Sequence, residues 1–199
     1  MGLPRFYINE GTDNGNETLQ DFVLSWTFRC SEEQYRLGNE KVNEFSRRTI
    51  YFLIHGSSEL GQRPYSIDSE IPDDFQIEKV TTFRQWNQID LLVEIKLKGI
   101  ETLFVLNIEN KVYTYPNAYQ LEKSVNAIKK SYDTSKIKVK NLLLYADNFF
   151  EKYPNKHSEI KSLCKGYNYE LVTKWPEILE YASKNIKETE NIMFDEFWF

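Results

Sequence analysis

Residues 101–120 read ETLFVLNIENKVYTYPNAYQ. From Thr102 the chain is almost continuously apolar and β-favouring, and then Glu109, Asn110 and Lys111 arrive together. A buried strand does not end on charges unless they are paired or bound to metal, because an isolated buried charge is costly. Residues two apart in a strand share a face, so Glu109 and Lys111 project to the same side.

Reading outward from this stretch, residues 77–84 (IEKVTTFR), 88–96 (QIDLLVEIK) and 102–109 (TLFVLNIE) have strand character, with Lys98-Gly99 as a tight connection between the second and third. Pairing of those two strands brings Asp90 beside Glu109, so two carboxylates and one ammonium converge. A helix follows over 117–132, with Ala118, Leu121, Val125, Ile128 and Tyr132 as its inner stripe. A fourth strand occupies 138–145, a helix about 157–165, a short strand 168–172, and a final helix opens at Pro176. Upstream, 19–30 reads as a short helix. A longer one lies within 32–55, where Val42, Phe45, Thr49 and Phe52 recur at helical spacing. Residues 1–18 and the stretch GSSELGQRPYSIDSEIPDD read as irregular. The order helix, three strands, helix, strand gives an α/β layered plan, a small mixed sheet flanked by helices.

The 199 residues, 41% hydrophobic and 15% aromatic, are enough for a real core. We expect one domain, its core spanning about 35–175, with a C-terminal helix and aromatic tail over 176–199. A formal charge of −5 excludes a global positive field, so any polyanion site is a local patch. Residues 111–140 supply one: Lys111, Lys123, Lys129, Lys130, Lys136, Lys138 and Lys140 against Glu122 and Asp133. Tyr113, Tyr115 and Tyr119 stand beside it, suited to packing on sugars or bases. Two histidines are too few for a His-based zinc site, and two distant cysteines fit a reduced, cytoplasmic chain. No apolar run approaches the roughly 18 residues that span a bilayer. The ending IMFDEFWF is too apolar to stay in water, which means docking on the chain's own core or contact with a second copy or a partner.

Two carboxylates beside a lysine suit hydrated Mg²⁺, which takes oxygen ligands and keeps several waters. An ion-pair cluster at a sheet edge fits the same residues. The succession QIDLLVEI, LFVLNIENK and YQLEKSVNAI, with DFVLSWTFRC before it and TKWPEILEYASKN after it, resembles the PD-(D/E)xK nuclease superfamily. It is most similar to the bacterial branch with an ID strand, an IENK strand and a QL helix. The resemblance implies a restriction-endonuclease-like αβββαβ core. It makes Asp90 and Glu109 the metal ligands, Lys111 the catalytic lysine, and Gln120 a residue that orders the site or touches substrate. Members often add an acid from the first core helix, for which Glu44 or Glu40 is the candidate. The proline of the family name is replaced by Ile89. The implied activity is Mg²⁺-dependent (or Mn²⁺-dependent) hydrolysis of DNA, in phage defence or a mobile element, with Lys123, Lys129 and Lys130 on the nucleic acid. A non-catalytic nucleic-acid-binding or interaction module on the same fold, and an RNase, are the alternatives.

Overall fold

The computed structural model describes residues 2–5, 19–56, 70–111, 114–145, 150 and 152–199. Most of the two segments read as irregular, and Tyr113, lie outside the described residues.

The chain opens with α1 (Leu19–Cys30), a 3₁₀ turn at Glu33–Tyr35 and α2 (Glu40–His55). Helix α2 is buried along Val42, Phe45, Thr49 and Phe52, the spacing read from sequence. Three strands follow: β1 (Ile77–Trp86), β2 (Ile89–Leu97) and β3 (Leu103–Lys111). Then come α3 (Ala118–Ser131), β4 (Ile137–Tyr145), α4 (Lys156–Gly166), β5 (Glu170–Thr173) and, near the C-terminus, α5 (Ile192–Trp198). The sheet runs in order β1-β2-β3-β4-β5. The first three strands are antiparallel neighbours, and β3, β4 and β5 are parallel. This is the αβββαβ plan expected from sequence.

Gly99 makes the β2–β3 connection with φ +75°, a backbone that a side chain would strain. Asn117 starts α3 by accepting the Tyr119 N–H at 2.9 Å, which satisfies one orphan donor of the first turn. The segment after β5 differs from expectation. Residues Lys174–Leu179 form a π-helical turn that passes into a short α-turn at Glu180–Ala182, so Pro176 sits inside a wide turn rather than opening an α-helix. Proline lacks the N–H that a regular helix interior uses.

Side chains alternate across the sheet, and the two faces have separate partners. On one face α1 and α2 pack over Leu91, Val93, Ile95, Phe104, Leu106, Ile108, Leu142 and Leu144. On the other, α3 and α4 present Leu121, Ile128, Ile160 and Cys164 to Leu92, Val105, Leu143 and Tyr145. The aromatic ending docks on the first face. Phe194 and Trp198 are buried, Phe45 packs edge-on to Phe194 at 5.3 Å, and the Trp198 indole N–H donates to Thr27 Oγ1 at 2.9 Å. Phe199 and Ile192 stay exposed. Both cysteines are free and buried. Among the described residues no helix is long and apolar enough to cross a membrane.

Candidate active site

The β2–β3 ladder pairs Leu91 with Ile108. One step further along the same register, Asp90 stands opposite Glu109, and the alternation puts both carboxylates on the α3 face. Lys111, two residues beyond Glu109, joins them. Its ammonium closes on Glu109 Oε1 and lies 3.7 Å from Asp90 Oδ2. Gln120, in the first turn of α3, donates from Nε2 to Glu109 Oε2 at 2.9 Å. Both oxygens of Glu109 are thereby engaged, one by an ammonium and one by an amide. Asp90 Oδ2 accepts the Asn110 backbone N–H at 3.0 Å, which fixes the aspartate where β3 ends. Gln85, across from Asp90 on β1, brings its amide to 3.4 Å of Oδ1. Asp90, Glu109, Lys111 and Gln120 thus form one cluster where the strands end.

Its electrostatics follow from burial. Glu109 is only 1% exposed. Desolvation and then the neighbouring Asp90 raise its pKa to about 8, although Lys111 pulls the other way. Burial alone would lower the Lys111 pKa, but Glu109 and Asp90 outweigh it and hold the ammonium above its usual value. The cluster therefore carries more potential negative charge than one lysine offsets.

That excess is the test of whether a divalent cation fits here. Two carboxylates are hard oxygen donors of the kind Mg²⁺ and Mn²⁺ prefer. A carboxyl group still short of positive charge beside its lysine is chemically suited to take a cation in place of a proton. Asp90 and Glu109 are the residues that would hold it.

The structure does not bring Glu44 or Glu40 to this cluster. Both are exposed on α2, which covers the opposite face of the sheet. Glu40 accepts the Gly38 N–H at the helix start, and the field of Glu44 falls on Arg47, with Glu33, Arg36 and Asp73 nearby. The acid that does reach the neighbourhood is Asp21 of α1. It is 2% exposed and accepts the Asn110 side-chain amide at 2.8 Å. Asn110 therefore links Asp21 on one face, through its side chain, to Asp90 on the other, through its backbone. The sequence held a signal for this: Asp21 is the one acidic residue in LQDFVLSWTFRC, a helix buried along most of its length.

Beneath Glu109 on the same face lies a buried polar network. Asn107 donates to Asn141 Oδ1 at 2.8 Å and to Tyr169 Oη at 3.0 Å, and the Ser124 and Tyr169 hydroxyls share a bond of 2.5 Å. It joins β3 and β4 to α3, the helix that carries Gln120. Of the predicted contact lysines, Lys123 is half-buried with its ammonium 4.3 Å above the Tyr119 ring, while Lys129 and Lys130 are exposed on α3. Tyr115 and Tyr119 are exposed near the start of that helix.

Comparison with known proteins gives a single positive finding. No curated protein matches the chain, and no solved structure matches it. A family model, described as the PD-(D/E)XK nuclease superfamily, matches residues 5–197, nearly the whole length. The chain belongs to the PD-(D/E)XK nuclease superfamily.

Proposed function

We propose that this protein is a divalent-metal-dependent nuclease that hydrolyses phosphodiester bonds of DNA. The observation that carries the reading is the convergence of Asp90, Glu109, Lys111 and Gln120 on one face of the sheet. When bound, a divalent cation would polarise a phosphate oxygen and acidify a water. In the reaction, water oxygen adds to phosphorus, the bond to the departing sugar oxygen breaks, and the proton released by water leaves to solvent or to that oxygen.

The chain's own groups do the rest. Lys111 is protonated at neutral pH, so it is not a base. It supplies a fixed positive charge and hydrogen-bond donors where negative charge develops on the phosphate. Gln120 acts as a positioning residue, holding one Glu109 oxygen so that the carboxylate keeps a single orientation. The Asn110 N–H does the same for Asp90. The lysine-rich α3 beside the site supports a polyanionic substrate. The resemblance to small stand-alone members of the superfamily favours a defence or mobile-element setting.

The test is incubation of purified protein with supercoiled plasmid, linear duplex, single-stranded DNA and RNA, each with Mg²⁺, Mn²⁺ or EDTA. Cleavage of DNA that needs the ion is expected. Lys111→Ala should retain DNA binding and lose about 10²–10³ in rate. Asp90→Asn should be partly rescued by raised Mg²⁺ or Mn²⁺. Equal residual cleavage by wild type and both variants would remove this cluster as the active site. Preferential cutting of RNA would redirect the substrate assignment.

A further inference from the structure

The turn between β1 and β2 is Asn87–Gln88, closed by the Trp86–Ile89 pair. Both residues are left-handed, with φ +49° and +71°, the type I′ arrangement that matches strand twist. Glycine is the favoured residue at the second position of such a turn, and a side chain held there costs on the order of 1–2 kcal/mol. The strain lies two residues from Asp90. Strained backbone of this kind, kept beside an active site, is a reason to look for a use of the side chain.

Asn87 and Gln88 line one wall of a groove of about 390 Å³, and Lys123, Asn126 and Lys130 of α3 line the other. Its lining holds two ammonium groups and three carboxamides, and no carboxylate. Lys123 follows Gln120 by three residues, so the groove leads away from the Glu109 end of the cluster. Lys123 and Lys130 are about 10 Å apart along the helix axis, so they can reach separate phosphates of one strand. Lys129 does not line it.

We propose that this groove holds the DNA strand next to the scissile bond, with Lys123 and Lys130 on its phosphates and Asn87, Gln88 and Asn126 on its base edges. The inference rests on the nuclease reading above and adds selectivity to it. A carboxamide offers a donor and an acceptor side by side, the pattern that pairs with the N6/N7 edge of adenine. The enzyme therefore cuts with a base preference at fixed positions beside the cut, rather than uniformly.

The experiment uses the full-length protein and two readouts. The first is sequencing of the ends released from a randomised duplex in Mg²⁺ or Mn²⁺. Wild type should give a non-uniform profile. Gln88→Gly should melt at a higher temperature, because the turn strain is gone, yet flatten the profile and slow cutting of preferred sites about tenfold. A residue with a merely structural role would not give greater stability and lost selectivity together. The second readout is binding of a labelled duplex in EDTA across a salt series. Lys130→Gln should weaken binding and reduce the salt slope by about one. Lys187→Gln, an exposed lysine outside the basic segment, should change neither. A uniform wild-type profile, an unchanged profile in Gln88→Gly, or equal binding by Lys130→Gln and wild type would overturn the groove assignment. If wild type binds through Lys130 but cuts nothing, the nuclease reading falls and the base preference in cutting falls with it, while the groove stands only as a duplex-binding surface.

Discussion

Glu109→Gln should stabilise the metal-free protein, although it removes a residue at the centre of the candidate site. Glu109 is 1% exposed and faces Asp90, and its pKa is raised from the ordinary 4.5 to about 8. The folded state thus binds a proton that the unfolded chain has released between those two values. In that window stability falls as pH rises: it is fully present below about 4.5 and lost through about 8. At neutral pH the deficit is on the order of 3 kcal/mol. Glutamine keeps the shape and removes the titration. It also takes one partner from Lys111, which retains Asp90 at 3.7 Å. The expected net gain is therefore about 1–3 kcal/mol near pH 7 to 8, shrinking to nothing near pH 4. Urea denaturation in EDTA at several pH values measures it. Added Mg²⁺ or Mn²⁺ should raise the midpoint of wild type more than that of the variant, since binding to the native state alone stabilises it. A variant no more stable than wild type near pH 8, or a difference that does not change with pH, would refute the account of a charge-deficient carboxylate.

Three further outcomes are expected. Phe194→Ala should cost about 3–5 kcal/mol in denaturant titration, because the ring is fully buried between α1 and α2; a cost near zero would mean the aromatic ending does not dock as described. Asn107→Leu should cost about 1–3 kcal/mol by leaving Asn141 and Tyr169 short of a donor, and it should lower cleavage through displacement of α3. Gln120→Ala should slow cleavage about tenfold with little change in duplex binding, an effect on orientation that kcat and KM measured separately would reveal.

The central part of the fold was legible because its periods are clean. Strands over 77–145 announce themselves by β-branched and aromatic runs, with a break at Lys98-Gly99, and the structure's boundaries fall within a few residues of those read from sequence. Asp90, Glu109 and Lys111 could be placed together because strand alternation and antiparallel register are rigid rules. Gln120 came only from the resemblance of YQLEKSVNAI to the superfamily's helix. Glu44 shows where such rules stop. Helical periodicity says which face of α2 is buried but not which helix lies near the strand ends, so the resemblance pointed to Glu44 or Glu40 on α2, while the acid near the cluster is the buried Asp21 of α1. Asp21 enters through a contact 89 residues away in sequence, with Asn110, and no local pattern encodes that distance. The groove between the Asn87–Gln88 turn and α3 was hidden for a related reason. Its two walls come from a turn and a helix that become neighbours only once the sheet is assembled.

The docking of Trp198 against Thr27 spans 171 positions. During synthesis α1 and α2 leave the ribosome early, carrying Leu24, Phe28, Phe45 and Ile50, all of which need cover. The strands bearing Asp90 and Glu109 follow, but the clasp that completes the first core face arrives only with residues 194–198. Contacts of such long range are paid for in loop-closure entropy before they return any stabilisation, and they slow folding. A nascent chain of this protein thus carries Asp90, Glu109, Lys111 and Gln120 for some time before the core face behind their sheet is covered.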